Sequence, residues 1–177
     1  MSKIAVVFHS GYGHTRRVAE YVAEGAGAEL LAIDAEGNLP DGGWEKLADA
    51  DAIIFGTPTY MGGASWQFKK FADASSKPWF GRVWQDKVFG GFTNSASMNG
   101  DKGATMFGLQ TLASQHGGIW VSLGMLPSNA KAAARTDLIT WAARSACWCN
   151  RRPMPVLTRS PRAISIPPRP TARVLPR

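Results

Sequence analysis

Residues 3–15 read Lys3-Ile4-Ala5-Val6-Val7-Phe8-His9-Ser10-Gly11-Tyr12-Gly13-His14-Thr15. The run from Lys3 to Phe8 is apolar, rich in β-branched residues and without polar alternation. That is the pattern of a strand buried on both faces. Ser10 to Thr15, with two glycines and two hydroxyls, is a turn. Beyond it Val18, Tyr21, Val22 and Ala26 recur at helical spacing, with Arg16, Arg17, Glu20 and Glu24 on the opposite side. Gly25 and Gly27 bracket the expected helix end. A buried strand, a tight turn and an amphipathic helix form the opening unit of a parallel α/β sheet.

The unit repeats along the chain. Glu29 to Ile33 predicts a second strand, Trp44 to Ala50 a short helix, and Asp51 to Gly56 a third strand running into Thr57-Pro58-Thr59-Tyr60. Ser65 to Ala74 predicts a helix with Trp66, Phe68 and Phe71 available for packing. Pro78 and Gly81 mark a loop. Lys87 to Phe92 reads as a glycine-weakened strand opening into Thr93-Asn94-Ser95-Ala96-Ser97, Met106 to Ser114 as a helix, and Ile119 to Leu123 as a fifth strand. Strands alternating with helices predict an α/β fold around a doubly wound parallel sheet, carried by residues 1–137.

Composition bounds the rest. A chain of 177 residues, 45% hydrophobic and 19% charged, is one domain with material for a real core. No apolar run approaches the roughly 18 residues of a membrane span, and the opening run is too short for a signal peptide, so the expectation is a soluble, cytoplasmic protein. Cys147 and Cys149 are one residue apart, too close for an unstrained bridge. Three isolated histidines and that Cys-x-Cys give no metal-ligand spacing.

The net charge of +7 is unevenly held. Residues 1–137 carry all 13 acids against 12 Lys and Arg, whereas residues 138–177 carry eight Arg, no acid, no glycine and seven of the 11 prolines. The excess charge therefore belongs to an Arg- and Pro-rich tail that predicts disorder, appended to a near-neutral domain. Such a tail cannot form a base-reading helix, so no specific nucleic-acid partner is expected.

Three loops follow the first, third and fourth strands and converge on the carboxyl edge, where doubly wound sheets bind ligands. In the first, Ser10, Gly11, Tyr12, Gly13, His14 and Thr15 offer hydroxyls and free N–H groups at a helix N-terminus, an anion site. It has neither the lysine of a nucleoside-triphosphate loop nor the third glycine of a dinucleotide loop. Pro58, Thr59, Tyr60 and Met61 bring an aromatic and a thioether; Thr93, Asn94, Ser95, Ala96 and Ser97 bring hydroxyls and an amide. One phosphate plus a flat heterocycle with polar edges matches flavin mononucleotide (FMN).

These three loops, in order and spacing over residues 3–137, resemble the tryptophan-repressor-binding-protein family of flavodoxin-like quinone reductases. The resemblance implies a five-stranded sheet of order 2-1-3-4-5 that binds FMN and passes two electrons from NADH or NADPH to a quinone by ping-pong turnover. It implies that residues 10–15 hold the phosphate, with Tyr12 also near the nicotinamide, and that residues 58–61 and 93–97 flank the flavin ring. It further implies that Trp79 lies beside the quinone, that His116 lies at the flavin edge, and that the chain assembles as a homodimer or homotetramer. Tyr60-Met61 and Gly63-Ala64 stand where that family has Arg-Phe-Gly-Asn, and the third loop lacks its glycine run.

From the residues alone, Trp79 can instead cover a loop and His116 can complement a helix C-terminus. His9, Trp66 and Trp84 read as packing residues. Two other functions compete: a flavodoxin-type one-electron carrier, and a non-enzymatic regulatory module whose tail touches nucleic acid.

The tail also reads as out of frame. Taken one register over from the last base of the Ile139 codon, permissible codons yield glycines, acids and Asp-Leu-Asp-Thr-Ala-Arg, similar to the Asp-Leu-x-Thr-Ala-Arg that begins the family's last helix. The single-codon residues Trp141 and Trp148 then force Leu, Met or Val, and Met154 forces Asp, Asn, His or Tyr. On this reading the helix that should close the sheet is missing.

Overall fold

The computed structural model describes residues 2–97, 101–124 and 147–150. Its sheet has the order β2-β1-β3-β5-β6, built from β1 (Ile4–His9), β2 (Glu29–Ile33), β3 (Ala52–Tyr60), β5 (Val88–Ser95) and β6 (Ile119–Trp120). All four neighbouring pairs on this path are parallel. This is the expected doubly wound, flavodoxin-like sheet. A two-residue β4 (Gly63–Ala64) turns back antiparallel on the end of β3.

Alternation along the strands sorts the core into two faces. Ala5, Val7, Ile53, Phe55 and Phe89 pack with Leu47 of α2 (Gly43–Asp49), Phe68 and Phe71 of α3 (Trp66–Ala74), and Met106, Leu109 and Ala113 of α5 (Lys102–Gln115). Val6, Phe8 and Phe92 meet Ala19 and Ala23 of α1 (His14–Ala26) on the other face. Gly56 sits against the Phe92 ring there: an added Cβ would lie 2.3 Å from that ring and 2.9 Å from the Phe8 Cβ. Further along that face Ile119 and Val121 remain 51% and 45% exposed.

Several boundaries differ from the sequence reading. Thr57 to Tyr60 and Thr93 to Ser95, expected in loops, are the last residues of β3 and β5, with Thr57 opposite Thr93 and Pro58 opposite Asn94. β-branched threonine suits a strand, and the pairing continues until the hairpin to β4 stops it. The loop expected at Pro78 is a short helix, α4 (Ser76–Phe80), because Pro78 falls in its first turn, where no N–H is needed. α5 starts four residues earlier than Met106, and the fifth strand is only Ile119–Trp120. Trp84 is fully buried, as expected of a packing residue, but Trp66 is 61% exposed, on the outer side of α3.

Four residues of the segment expected to be disordered, Cys147–Asn150, form β7, parallel to Phe92–Ser95. β6 pairs only with Val88 and Phe89, so the upper part of β5 has a free edge, and β7 takes it. The rest of the proposed tail lies outside the described residues. No helix among the described residues is long and apolar enough to cross a membrane.

Candidate functional site

At the carboxyl edge the first two loops meet. Gly13, at φ +85°, is the cap residue of α1 and itself offers the helix amides no side-chain bond. The first intrahelical bond runs from Arg17 N–H to the Gly13 carbonyl at 3.1 Å, so the amides of His14 and Thr15 have no acceptor within the helix. Ser10 Oγ accepts the Arg16 N–H at 3.0 Å, which leaves the Ser10 proton free to donate outward. The Arg16 guanidinium lies 5.7 Å over the Phe8 ring, a fixed positive charge beside the turn. Together these groups make an anion cradle.

Tyr60 covers this turn. Its hydroxyl would lie 2.8 Å from a Cβ on Gly11, and its ring meets Tyr12 edge-on at 6.3 Å. Tyr12 is 77% exposed and Met61 wholly so, leaving an open aromatic and thioether surface above the cradle. Met61 adopts a positive φ of 48°, and Gly62 behind it faces Asp101, itself at φ 53°. Two non-glycine residues in the left-handed region at one edge mark locally strained backbone.

Below this surface the strand ends are tied by hydroxyls. Thr15 Oγ1 donates to Asn94 Oδ1 at 2.7 Å, joining the first and third loops. Thr59 donates to Thr105 at 2.9 Å and therefore accepts from Thr93 at 2.8 Å, a chain from β5 through β3 to α5. Thr15 is buried and its proton is committed to Asn94, so its hydroxyl braces the cradle, whereas that of Ser10 faces out of it. Ser95 Oγ donates to the Ser97 carbonyl at 2.9 Å, shaping the third loop; Ala96 and Ser97 are exposed.

Trp79 and His116 are not brought to these loops within one chain. Trp79 Nε1 donates to the Gln115 carbonyl at 2.8 Å, and Gly117, next to His116, accepts from the amide of Asp86, just before β5. Both therefore stand at the amino edge, with the length of β5 between them and the third loop, about 23 Å at roughly 3.3 Å per residue. The reason is topological: α5 leaves the carboxyl edge and returns its C-terminus to the opposite one. His116 is buried, with Nε2 2.9 Å from Ser75 Oγ and its ring 4.3 Å from that of Trp84. Ser75 gives its proton to the Ala72 carbonyl, so His116 Nε2 is the donor in that pair, and its Nδ1 has no partner among the described residues. Burial lowers the His116 pKa to about 4. Trp79, at 47% exposed, keeps an open ring face beside the 86%-exposed Phe80.

Sequence reasoning missed Lys102. It is fully buried in the first turn of α5, and its Nζ donates to the Ser97 carbonyl at 2.7 Å. A lysine at a helix start without an acidic neighbour in that turn was the available signal. No group of three or more metal-ligating side chains occurs among the described residues.

The family described as NADPH-dependent FMN reductase matches residues 43–132, just over half of the chain. The chain belongs to that family. The chain is also similar to proteins of two different names. A protein named "Flavodoxin FldP" from Pseudomonas aeruginosa (strain UCBPP-PA14) is 63% identical over 138 residues, 78% of this chain and 75% of that one. An "NAD(P)H dehydrogenase (quinone)" from Trichlorobacter lovleyi is 34% identical over 147 residues, covering 70% and 72%. Among solved structures, a flavodoxin, WrbA-like protein from Agrobacterium tumefaciens superposes with a TM-score of 0.69 at 72% identity, over 72% of this chain and 82% of that one.

Proposed function

We propose that this FMN reductase family member is an FMN-dependent oxidoreductase that moves two electrons from NADH or NADPH to a quinone. The observation that carries the reading is the convergence of the three loops: the His14 and Thr15 amides and the Ser10 proton for one phosphate, beneath an open Tyr12–Tyr60–Met61 surface for a flat ring. The residues present fit the cofactor. Residues 10–15 hold its phosphate through amides and the Ser10 hydroxyl, and the ends of β3 and β5 with Ala96 and Ser97 line its ring. When bound, the cofactor supplies the redox chemistry: two electrons arrive with the nicotinamide hydride and leave to a quinone, and solvent supplies the proton that completes the quinol. The chain binds and orients; Thr15, Thr59, Thr93 and Thr105 hold the loop ends rigid, and Tyr12 orients the nicotinamide.

A place for Trp79 at the quinone requires a second copy of the chain, because its own loops are at the other edge. The exposed Trp79–Phe80 surface supports a homodimer or homotetramer in which one protomer's amino edge covers its partner's loops. His116, buried in its own protomer, has a packing role. The 63% identity to a protein named flavodoxin favours a second reading, a one-electron carrier.

The test is purification of the full chain, its flavin absorbance, and anaerobic NADH or NADPH oxidation with benzoquinone. Bound FMN with rapid quinone reduction supports the reductase. Bound FMN that accepts electrons singly, at two well-separated potentials and without turnover, identifies the carrier. In the reductase, Trp79→Ala lowers quinone reduction and the oligomer fraction by size-exclusion chromatography while flavin binding persists.

A further inference from the structure

Tyr60 pairs with Gly63, so Met61 and Gly62 are the two central residues of the hairpin from β3 to β4. Both have positive φ, 48° and 79°, as in the tight hairpin turns that favour Asn-Gly or Asp-Gly. Met61 stands where an asparagine would be less strained, and a bulky side chain is rare in that region. Packing gives nothing back. Met61 is wholly exposed, the most exposed large apolar side chain among the described residues. A residue that breaks a local rule without local gain marks a place where function sets the choice.

What the side chain brings is a thioether at the surface that would meet the ring. It follows Tyr60, whose hydroxyl covers Gly11 and whose ring meets Tyr12 edge-on. A thioether is flexible, apolar and polarisable, which suits contact with a flat ring. It is also a group that an oxidant turns polar and that a reductase turns back. With hydrogen peroxide, the sulfur lone pair takes one oxygen and the O–O bond breaks. The other oxygen leaves as water, and the sulfur has lost two electrons to become a sulfoxide. The FMN reading supplies that oxidant at this edge: dioxygen reaching a reduced ring takes two electrons and two protons and leaves as hydrogen peroxide. Nicotinamide and quinone must both reach this surface, so the smaller peroxide reaches it too, also where a partner protomer covers the loops.

We propose that Met61 is a reversible peroxide-modification site, whose sulfoxide weakens contact with the flavin ring and lowers FMN affinity. The inference rests on the FMN reading above. Oxidation places a polar, chiral S=O group where an apolar side chain lay against the ring, and reduction restores the thioether. Met106 is the internal reference, because it is buried in the core beneath α5.

The full chain is exposed to limiting hydrogen peroxide, and each methionine is followed by fragment-ion mass spectrometry. FMN affinity is read by quenching of flavin fluorescence before and after. Met61 gains one oxygen at least about tenfold faster than Met106, and FMN then binds at least about fivefold more weakly. Methionine sulfoxide reductases A and B, with a thiol reductant, remove the oxygen and restore the affinity. Met61→Leu has no sulfur at this position, so peroxide changes its own FMN affinity by less than about twofold, whatever its starting value. Oxidation of Met61 no faster than that of Met106 overturns the proposal. So does unchanged affinity once Met61 is fully oxidised, or an equal fall in the Leu variant, which assigns the loss to another residue. Failure of the untreated chain to bind FMN overturns the flavin reading and the switch with it, a pattern distinct from selective oxidation without loss of affinity.

Discussion

His116 links stability to pH in a way its position allows to be worked out. Folded, its pKa is about 4, against 6.5 for an unperturbed imidazole, because burial disfavours the cation. Between these values the unfolded chain binds a proton that the folded chain does not, so stability is fully present above about pH 6.5 and falls as the pH drops. Each pH unit in that window is worth about 1.4 kcal/mol, so the loss approaches about 3 kcal/mol by pH 4. His9, buried with its pKa also lowered, acts in the same direction. The perturbation is His116→Gln, which keeps a donor for Ser75 Oγ but does not titrate. Urea unfolding of both proteins at half-unit steps from pH 4 to 7.5 gives the slope directly. The variant is less stable at pH 7, since it gives up ring packing against Trp84, but its stability declines less steeply below pH 6.5. Parallel curves throughout the window would falsify a neutral, buried His116.

Other expectations follow from the carboxyl edge and the sheet. Ser10→Ala weakens FMN binding by about 1–3 kcal/mol through loss of a donor to a charged group, whereas Thr15→Ala also loosens the tie to Asn94 and lowers the melting temperature; equal effects on flavin and stability from both would remove the distinction between cradle and brace. Gly11→Ala pushes the Tyr60 ring aside and lowers FMN affinity by about tenfold while the melting midpoint moves little, checked by titration and thermal unfolding; undiminished affinity would show that Tyr60 is not part of the site. Restoring the reading frame from Ile139 adds a helix over the face where Ile119 and Val121 are half-exposed, and each such side chain covered contributes roughly 1.5–3 kcal/mol before entropy. The frame-restored chain then unfolds at a clearly higher urea midpoint, and equal midpoints would mean that the present residues 138–177 close the sheet themselves.

The fold was legible because its signals are local. The apolar run at 3–8 and the glycines at 11 and 13 fix a strand and a turn whatever surrounds them, and the first loop lies where that reading puts it. The ends of β3 and β5 were misread because threonine, proline and asparagine serve turns and strand ends alike, and only pairing between strands decides. Trp79 and His116 could not be placed from spacing, since the edge each one reaches depends on how far α3 and α5 run before the chain turns. Lys102 gave only a weak signal, its place at a helix start. A lysine reads as solvated until the structure shows it buried against the third loop.

Gly56 has a consequence for how this sequence can change over time. Positions 8, 56 and 92 divide a single volume among the Phe92 ring, the Phe8 Cβ and a hydrogen atom. A lineage that enlarged position 56 first would drive a Cβ into the Phe92 ring and against the Phe8 Cβ. One that shrank Phe92 first would open a void costing roughly 3–5 kcal/mol. Neither order offers a passable intermediate in a domain only about 5–15 kcal/mol stable. A glycine that touches no ligand is thus expected to be inherited as strictly as the loops that do.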